Sequence, residues 1–217
     1  MDAEELILAD NALTTLSPRI GRLTRLRTLD LGHNRLTALP EEIGTLTALS
    51  GCLYVHGNRL THLPDSLGDL ERLTYLNVGE NPLGALPPRI GALRSLVELR
   101  AQDCGLTALP DTLGGLVELR ELWLRGNLLA DLPAGVRQLR QLREVELREN
   151  RFTAVPEALR GLPLLRRLDL RGNGLRELPP WLAELPSLEK LDLRWNPVGP
   201  ETDAVRELTE RGCVVLR

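Results

Sequence analysis

Residues 23–40 read Leu-Thr-Arg-Leu-Arg-Thr-Leu-Asp-Leu-Gly-His-Asn-Arg-Leu-Thr-Ala-Leu-Pro. Leu29 and Leu31 alternate ahead of Asn34, Leu36 and Leu39 follow it, and Pro40 closes the stretch. Alternation over so short a run predicts a strand. The pattern recurs in both directions: Asn11, Asn34, Asn58, Asn81, Asn127, Asn150, Asn173 and Asn196 hold one position, with Cys104 in the single vacant place. Successive members lie 23 residues apart, except for 24 between Asn34 and Asn58. A fixed period along the whole chain overrides the one-or-two-domain expectation that 217 residues alone would give, because stacked repeats share one core.

Each position in the period has a physical task. Leu or Val five and three residues before the Asn (Leu76 and Val78, Leu122 and Leu124) faces inward from the strand. Pro40, Pro64, Pro87, Pro110, Pro133, Pro156 and Pro179 share the position where the chain leaves the strand side; proline fixes the turn and removes a donor there. Apolar residues three apart, such as Ile43, Leu46 and Leu49, fill the return and suit short 3₁₀ turns. Neither segment can bury its apolar face alone, so every repeat must stack on its neighbours. The Asn amide is suited to bonding backbone groups of adjacent coils, a task that Cys104 can fill only in part.

Residues 23–40 resemble the 23-residue leucine-rich repeats of intracellular proteins, within which the chain looks closest to plant intracellular Ras-group-related proteins, an animal Ras-signalling scaffold and bacterial homologues. The similarity spans essentially the whole chain. It implies an α/β leucine-rich-repeat solenoid: a right-handed coil with a parallel concave sheet and short 3₁₀ or helical convex returns. It also implies a curved binding scaffold, with a small GTPase as one kind of partner, but it names no ligand, since fold does not fix function.

The expected organisation is an array of nine repeats over residues 1–198 and a helix-strand cap over 199–217. In the cap, Glu201 to Arg211 reads as a helix with Pro in its first turn, and Val214, Val215 and Leu216 as an edge strand. Trp181 and Trp195 are expected to pack into this cap. At the other end Ala3 stands where a Leu belongs, leaving the first coil poorly covered. The extra residue in Ser50, Gly51 and Cys52 predicts a bulge before the third strand.

Composition excludes several classes of function. A formal charge of -3 with no concentrated basic segment argues against nucleic acid. No apolar run approaches the roughly 18 residues of a membrane span, and the acidic start at Asp2, Glu4 and Glu5 is unlike a secretory signal. Cys52, Cys104 and Cys213 form no C-x-x-C pair, which fits a reducing, cytoplasmic location.

No nucleophile with its base, no phosphate loop and no complete metal-ligand set is found, so the expectation is a non-catalytic protein without cofactor or metal. His33 and His56, from adjacent coils, could approach Asp10, Asp30 or Glu80, but nothing completes a recognisable metal set. Strand alternation instead places Tyr54, Tyr75, Arg100, Trp123, His33 and His56 on outward positions of the concave side. Tyr, Trp and Arg most often carry interface energy, and Tyr54 and Trp123 are only three strands, roughly 14 Å, apart. These six residues are the expected protein-binding surface. Farther along, Glu146, Asp169 and Asp192 stand beside Arg148, Arg171 and Arg194 and should neutralise one another. The expected state is a monomer; the competing expectation is a structural solenoid that dimerises or stacks through its terminal edges.

Overall fold

The computed structural model describes residues 3–199 and 202–217. Its strands are Glu5–Ile7 (β1), Thr28–Asp30 (β2), Cys52–Tyr54 (β3), Tyr75–Asn77 (β4), Glu98–Arg100 (β5), Glu121–Trp123 (β6), Glu144–Glu146 (β7), Arg167–Asp169 (β8), Lys190–Asp192 (β9) and Val214–Leu216 (β10). All are parallel neighbours in one sheet, in sequence order. The middle residue of each strand faces the core, so Leu29, Leu53, Leu76, Leu99, Leu122, Val145, Leu168 and Leu191 form one in-register buried row. Burying each such Leu contributes about 1.5 to 3 kcal/mol, and repetition makes up for the scarcity of aromatic residues.

Between strands the chain returns through 3₁₀ turns such as Glu41–Thr45, Pro88–Ala92 and Pro180–Glu184. The repeated proline precedes each return from Glu41–Thr45 onward, with φ between -58 and -72°. Its carbonyl accepts the first turn's hydrogen bond, as from Ile43 to Pro40 at 3.0 Å. Proline loses no bond at that place because only its oxygen is needed. Stacked returns pass so closely that a Cβ at Gly91 would collide with the Thr112 backbone oxygen.

The Asn ladder binds each coil to the one before it. Asn127 accepts from the backbone N–H groups of Leu106 (3.0 Å) and Cys104 (3.1 Å) and donates to the carbonyls of Ala101 (2.8 Å), Leu124 (2.9 Å) and Arg125 (3.4 Å). At the vacant place the Cys104 thiol reaches the Val78 and Gln102 carbonyls at 3.4 and 3.3 Å. It supplies no acceptor for the Leu83 N–H, which turns to Asn81 O instead. The thiol replaces the donor half of the asparagine's task.

Ahead of β3 the additional residue leaves only two register pairs between β2 and β3, where other neighbours make three. Gly51 N bonds to Arg27 O, and the local ladder is interrupted as a bulge requires.

At the C-terminal end the helix Asp203–Glu210 (α1) is shorter than the expected 201–211. Thr202 caps it by accepting from Val205 N at 3.3 Å, and Arg211 ends it. Pro200 and Glu201, which the sequence places at the helix start, lie outside the described residues. Ala204, Val205 and Leu208 are buried, and β10 continues the sheet beside β9. The Arg211 guanidinium donates to the carbonyls of Ala183, Leu185 and Pro186, tying α1 to the last return.

The two cap tryptophans diverge. Trp181 is buried and donates its indole N–H to Glu157 Oε1 at 2.6 Å. Trp195 is 71% exposed, which corrects the expectation that it packs into the cap. The reason is its backbone: at φ 62° it leaves the strand in the left-handed region and its ring points away from the core. At the opposite edge Leu6, Leu8, Leu13 and Leu16 are only partly buried and Ile7 is 60% exposed.

Candidate protein-interaction surface

Outward residues of the strands and strand exits form four parallel columns. The outer column runs Cys52, Tyr75, Glu98, Glu121, Glu144 along β3 to β7, and beside it run Tyr54, Asn77, Arg100, Trp123, Glu146. A third column, two residues beyond each strand end, contains His56, Gln102, Arg125 and Arg148. The fourth, immediately before each ladder residue, is left-handed throughout: Asp10, His33, Gly57, Glu80, Asp103, Gly126, Glu149, Gly172 and Trp195 all have φ between 52 and 67°. The signal for that turn in the sequence is the recurrence of glycine and aspartate, both turn residues, at one position of the period (Asp10, Gly57, Asp103, Gly126, Gly172).

The six expected binding residues are brought together in one chain of ring contacts. His33 and His56 meet edge-on with centroids 4.6 Å apart, Tyr54 lies 6.0 Å from His56, and Tyr75 lies 4.9 Å from Tyr54. Arg100 then sits between two rings, its guanidinium carbon 5.8 Å from the Tyr75 centroid and 5.1 Å from that of Trp123. Glu98 fixes the Arg100 Nε at 2.5 Å, and Glu121 accepts the Trp123 indole N–H at 3.3 Å. His33 is exposed and the other five are half-buried, so the rings rest on the sheet with their faces available.

Glycines make room for this layer. A side chain at Gly32 would strike His56, one at Gly57 would strike His33, and one at Gly79 would strike Gln102. The polar side chains therefore lie flat over bare backbone of the adjacent coil. Among the described residues His56 Nδ1 and Gln102 Oε1, like Arg125 Nε and Arg148 Nε of the same column, are buried without a hydrogen-bond partner. Burial, then the nearby His33, pulls His56 below the usual histidine pKa, leaving it neutral at neutral pH. The Tyr54 phenol is pushed up to about 12, first by its hydrogen bond with Cys52 and then by burial.

Over β7 to β9 the surface is an ion-pair lattice. Arg148 Nε lies 2.9 Å from Glu146, Arg171 pairs with Asp169 at 2.5 Å and reaches Asp192 at 3.4 Å, and Arg194 pairs with Asp192 at 2.7 Å. Burial alone would raise the Asp192 carboxyl, but hydrogen bonds from the Arg194 side chain and backbone hold it below the ordinary aspartate pKa. Burial prevails at Glu146 and raises it. Among the described residues no three His, Cys, Asp or Glu side chains gather as a metal site. None of the described helices is long and apolar enough to cross a membrane.

Comparison with known proteins agrees with the solenoid. The profile described as Leucine rich repeat matches residues 117–175 and 140–198, and that described as Leucine Rich repeats (2 copies) matches residues 4–47. Among solved structures, a leucine-rich-repeat protein of Leptospira interrogans shares 31% identity at a TM-score of 0.77, over 97% of this chain and 59% of that one. The leucine-rich-repeat domain of the type III effector XopL shares 29% at 0.68, over 84% of this chain and 73% of that one. The ectodomain of the Arabidopsis thaliana membrane receptor kinase GASSHO1/SCHENGEN3, solved in complex with Casparian strip integrity factor 2, shares 29% at 0.78, over 96% of this chain and 26% of that one. No curated protein matches the sequence. The chain belongs to the leucine-rich-repeat proteins, and it spans about three fifths of the Leptospira protein and about a quarter of the plant ectodomain.

Proposed function

We propose that this chain is a non-catalytic protein-interaction scaffold and that its partner docks on the concave face along His33, His56, Tyr54, Tyr75, Arg100 and Trp123. The observation that carries this reading is the unbroken run of ring and guanidinium contacts across adjacent coils. Rings and Arg side chains preorganised side by side are the groups that most often dominate interface energy. Support of a second kind comes from structures of the same fold solved in complex with partners, including the plant peptide hormone receptor RGFR1 in complex with RGF2, at 27% identity. Three free cysteines favour a reducing, cytoplasmic setting.

The test is affinity capture from the native lysate with the wild-type chain, with Tyr54→Ala/Trp123→Ala and with Arg171→Ala. A protein retained by the wild type and Arg171→Ala but lost by the double variant supports concave docking; a small GTPase, as the family resemblance implies, is one species to look for in that fraction. Equal retention by all three moves the site off this face.

A second reading, self-association through the terminal edges, is favoured by two exposed apolar residues on the outermost strands, Ile7 at 60% and Val214 at 55%. Unpaired strand edges are templates for further pairing. Light scattering across a concentration series separates the two: a constant monomer supports the scaffold, and a concentration-dependent dimer that Ile7→Lys abolishes supports the stack.

A further inference from the structure

The concave face carries a charge imbalance that the chain as a whole does not show. In the coils of β1 to β7 the outer column holds Glu5, Glu98, Glu121 and Glu144, and the left-handed column holds Asp10, Glu80, Asp103 and Glu149; neither holds an Arg or Lys. Between these two acidic rims the central columns contribute Arg100, Arg125 and Arg148 against Asp30 and Glu146. The ring chain thus lies in a trough with anionic walls. The surplus ends at β8, where Arg167 and Lys190 take over the outer column.

Within the outer row Glu98, Glu121 and Glu144, one carboxylate has no ion pair of its own. Glu98, Glu121 and Glu144 are in direct register, about 4.8 Å apart at the usual strand spacing, and like charges so placed repel. Arg100 relieves Glu98 at 2.5 Å and Arg167 approaches Glu144 at 3.5 Å. Glu121, between them, accepts the Trp123 indole N–H and makes no ion pair among the described residues, so only the more distant charge of Arg100, already paired with Glu98, acts on it. Beside it the faces of Tyr75 and Trp123 already hold one guanidinium, that of Arg100, at ring-contact distance. Aromatic faces next to carboxylates suit a desolvated cation.

Resting on the concave-face reading above, we infer that the docked segment is cationic: a partner peptide whose Lys or Arg side chains reach Glu121 and the acidic rims while an apolar residue covers Tyr54, Tyr75 and Trp123. Complementary charge steers the encounter and fixes register. An acidic peptide, a nucleic acid or an anionic membrane would meet two negative walls.

The experiment is fluorescence anisotropy of two dye-labelled octapeptides, one alternating Lys with Leu and one alternating Glu with Leu, titrated with the intact chain. The Lys peptide binds, more weakly as salt rises, and the Glu peptide does not. Glu121→Gln weakens binding about fivefold, and Glu98→Gln/Glu121→Gln/Glu144→Gln about tenfold or more. Glu42→Gln/Glu71→Gln/Glu118→Gln, which removes the same charge from exposed positions off the concave columns, leaves binding within about twofold. Failure of the Lys peptide to bind, preference for the Glu peptide, or equal losses in the two triple variants would overturn the inference. Loss of binding in Tyr54→Ala and Trp123→Ala but in neither carboxylate variant overturns the cationic partner alone. The converse pattern, carboxylates mattering and rings not, overturns the ring-chain site instead.

Discussion

Two stretches of the same concave face, β3 to β6 and β7 to β9, share one backbone and differ in how completely their side chains satisfy one another. Over β7 to β9 each acid of the second column has an arginine of the third within 3.0 Å, and Arg171 bridges two of them. Over β3 to β6 the side chains touch mainly through ring faces, with Arg100–Glu98 and Arg125–Asp103 as the ion pairs, and Glu121, His56 Nδ1, Gln102 Oε1 and Arg125 Nε retain unused capacity. The lattice keeps one buried donor, Arg148 Nε, without a formed hydrogen bond, but its charges are paired throughout; a charge-paired lattice stabilises the array it belongs to, whereas a preorganised layer with unpaired groups has more to gain from a partner. Charge density alone would have ranked the two stretches the other way.

The largest expected effect strikes the backbone beneath both. Asn127→Ala removes five hydrogen bonds to the backbone, four of them buried, and should lower stability by about 1 to 3 kcal/mol, read as a shifted denaturation midpoint. Cys104→Asn restores the missing acceptor for Leu83 and should be neutral or stabilising, which checks that the Asn127 effect is ladder chemistry rather than general disturbance. An unchanged midpoint for Asn127→Ala sinks the ladder argument.

Next comes the lattice. The Asp192 side chain is 4% exposed and binds both Arg171 and Arg194, so Asp192→Ala should cost about 1 to 2 kcal/mol of stability. Tyr54→Ala should cost less than about 1 kcal/mol, because a half-exposed ring on a sheet face buries little apolar area. Equal losses of stability would erase the distinction between the two stretches.

The smallest effect is on pH. Because His56 titrates below its unfolded value, the unfolded chain takes up the proton first, so its contribution to stability is complete above the unfolded pKa of about 6.5 and is lost as pH falls through the lower folded value. The wild type should therefore melt at a lower temperature at pH about 5.5 than at about 7.5. His56→Gln should reduce that difference, and melting curves at the two pH values are the check.

Much of this was legible in the sequence, because a solenoid repeats its physics. The ladder at Asn34 and Asn127, the prolines ahead of the returns and the in-register core row all followed from a 23-residue period, and the same period placed Tyr54, Tyr75 and Trp123 on one face. What was not legible depends on backbone angle and on side-chain neighbours in other coils. The left-handed turn that exposes Trp195 reverses the direction its nearness to the cap implied. The seating of His56 over Gly32 requires knowing which glycine faces which ring. Glu121 was in plain view, but its isolation shows only when its neighbours in β5 and β7 are set beside it.

The most direct test is a binding titration of the captured partner against Tyr54→Ala, Trp123→Ala and Arg171→Ala, each first shown by its melting curve to be folded. Concave docking on the ring chain predicts that the two aromatic variants lose about 2 kcal/mol each, roughly thirtyfold in affinity, while Arg171→Ala stays within about threefold. Equal affinities for all three variants would contradict it and move the interface to the convex returns or the terminal edges.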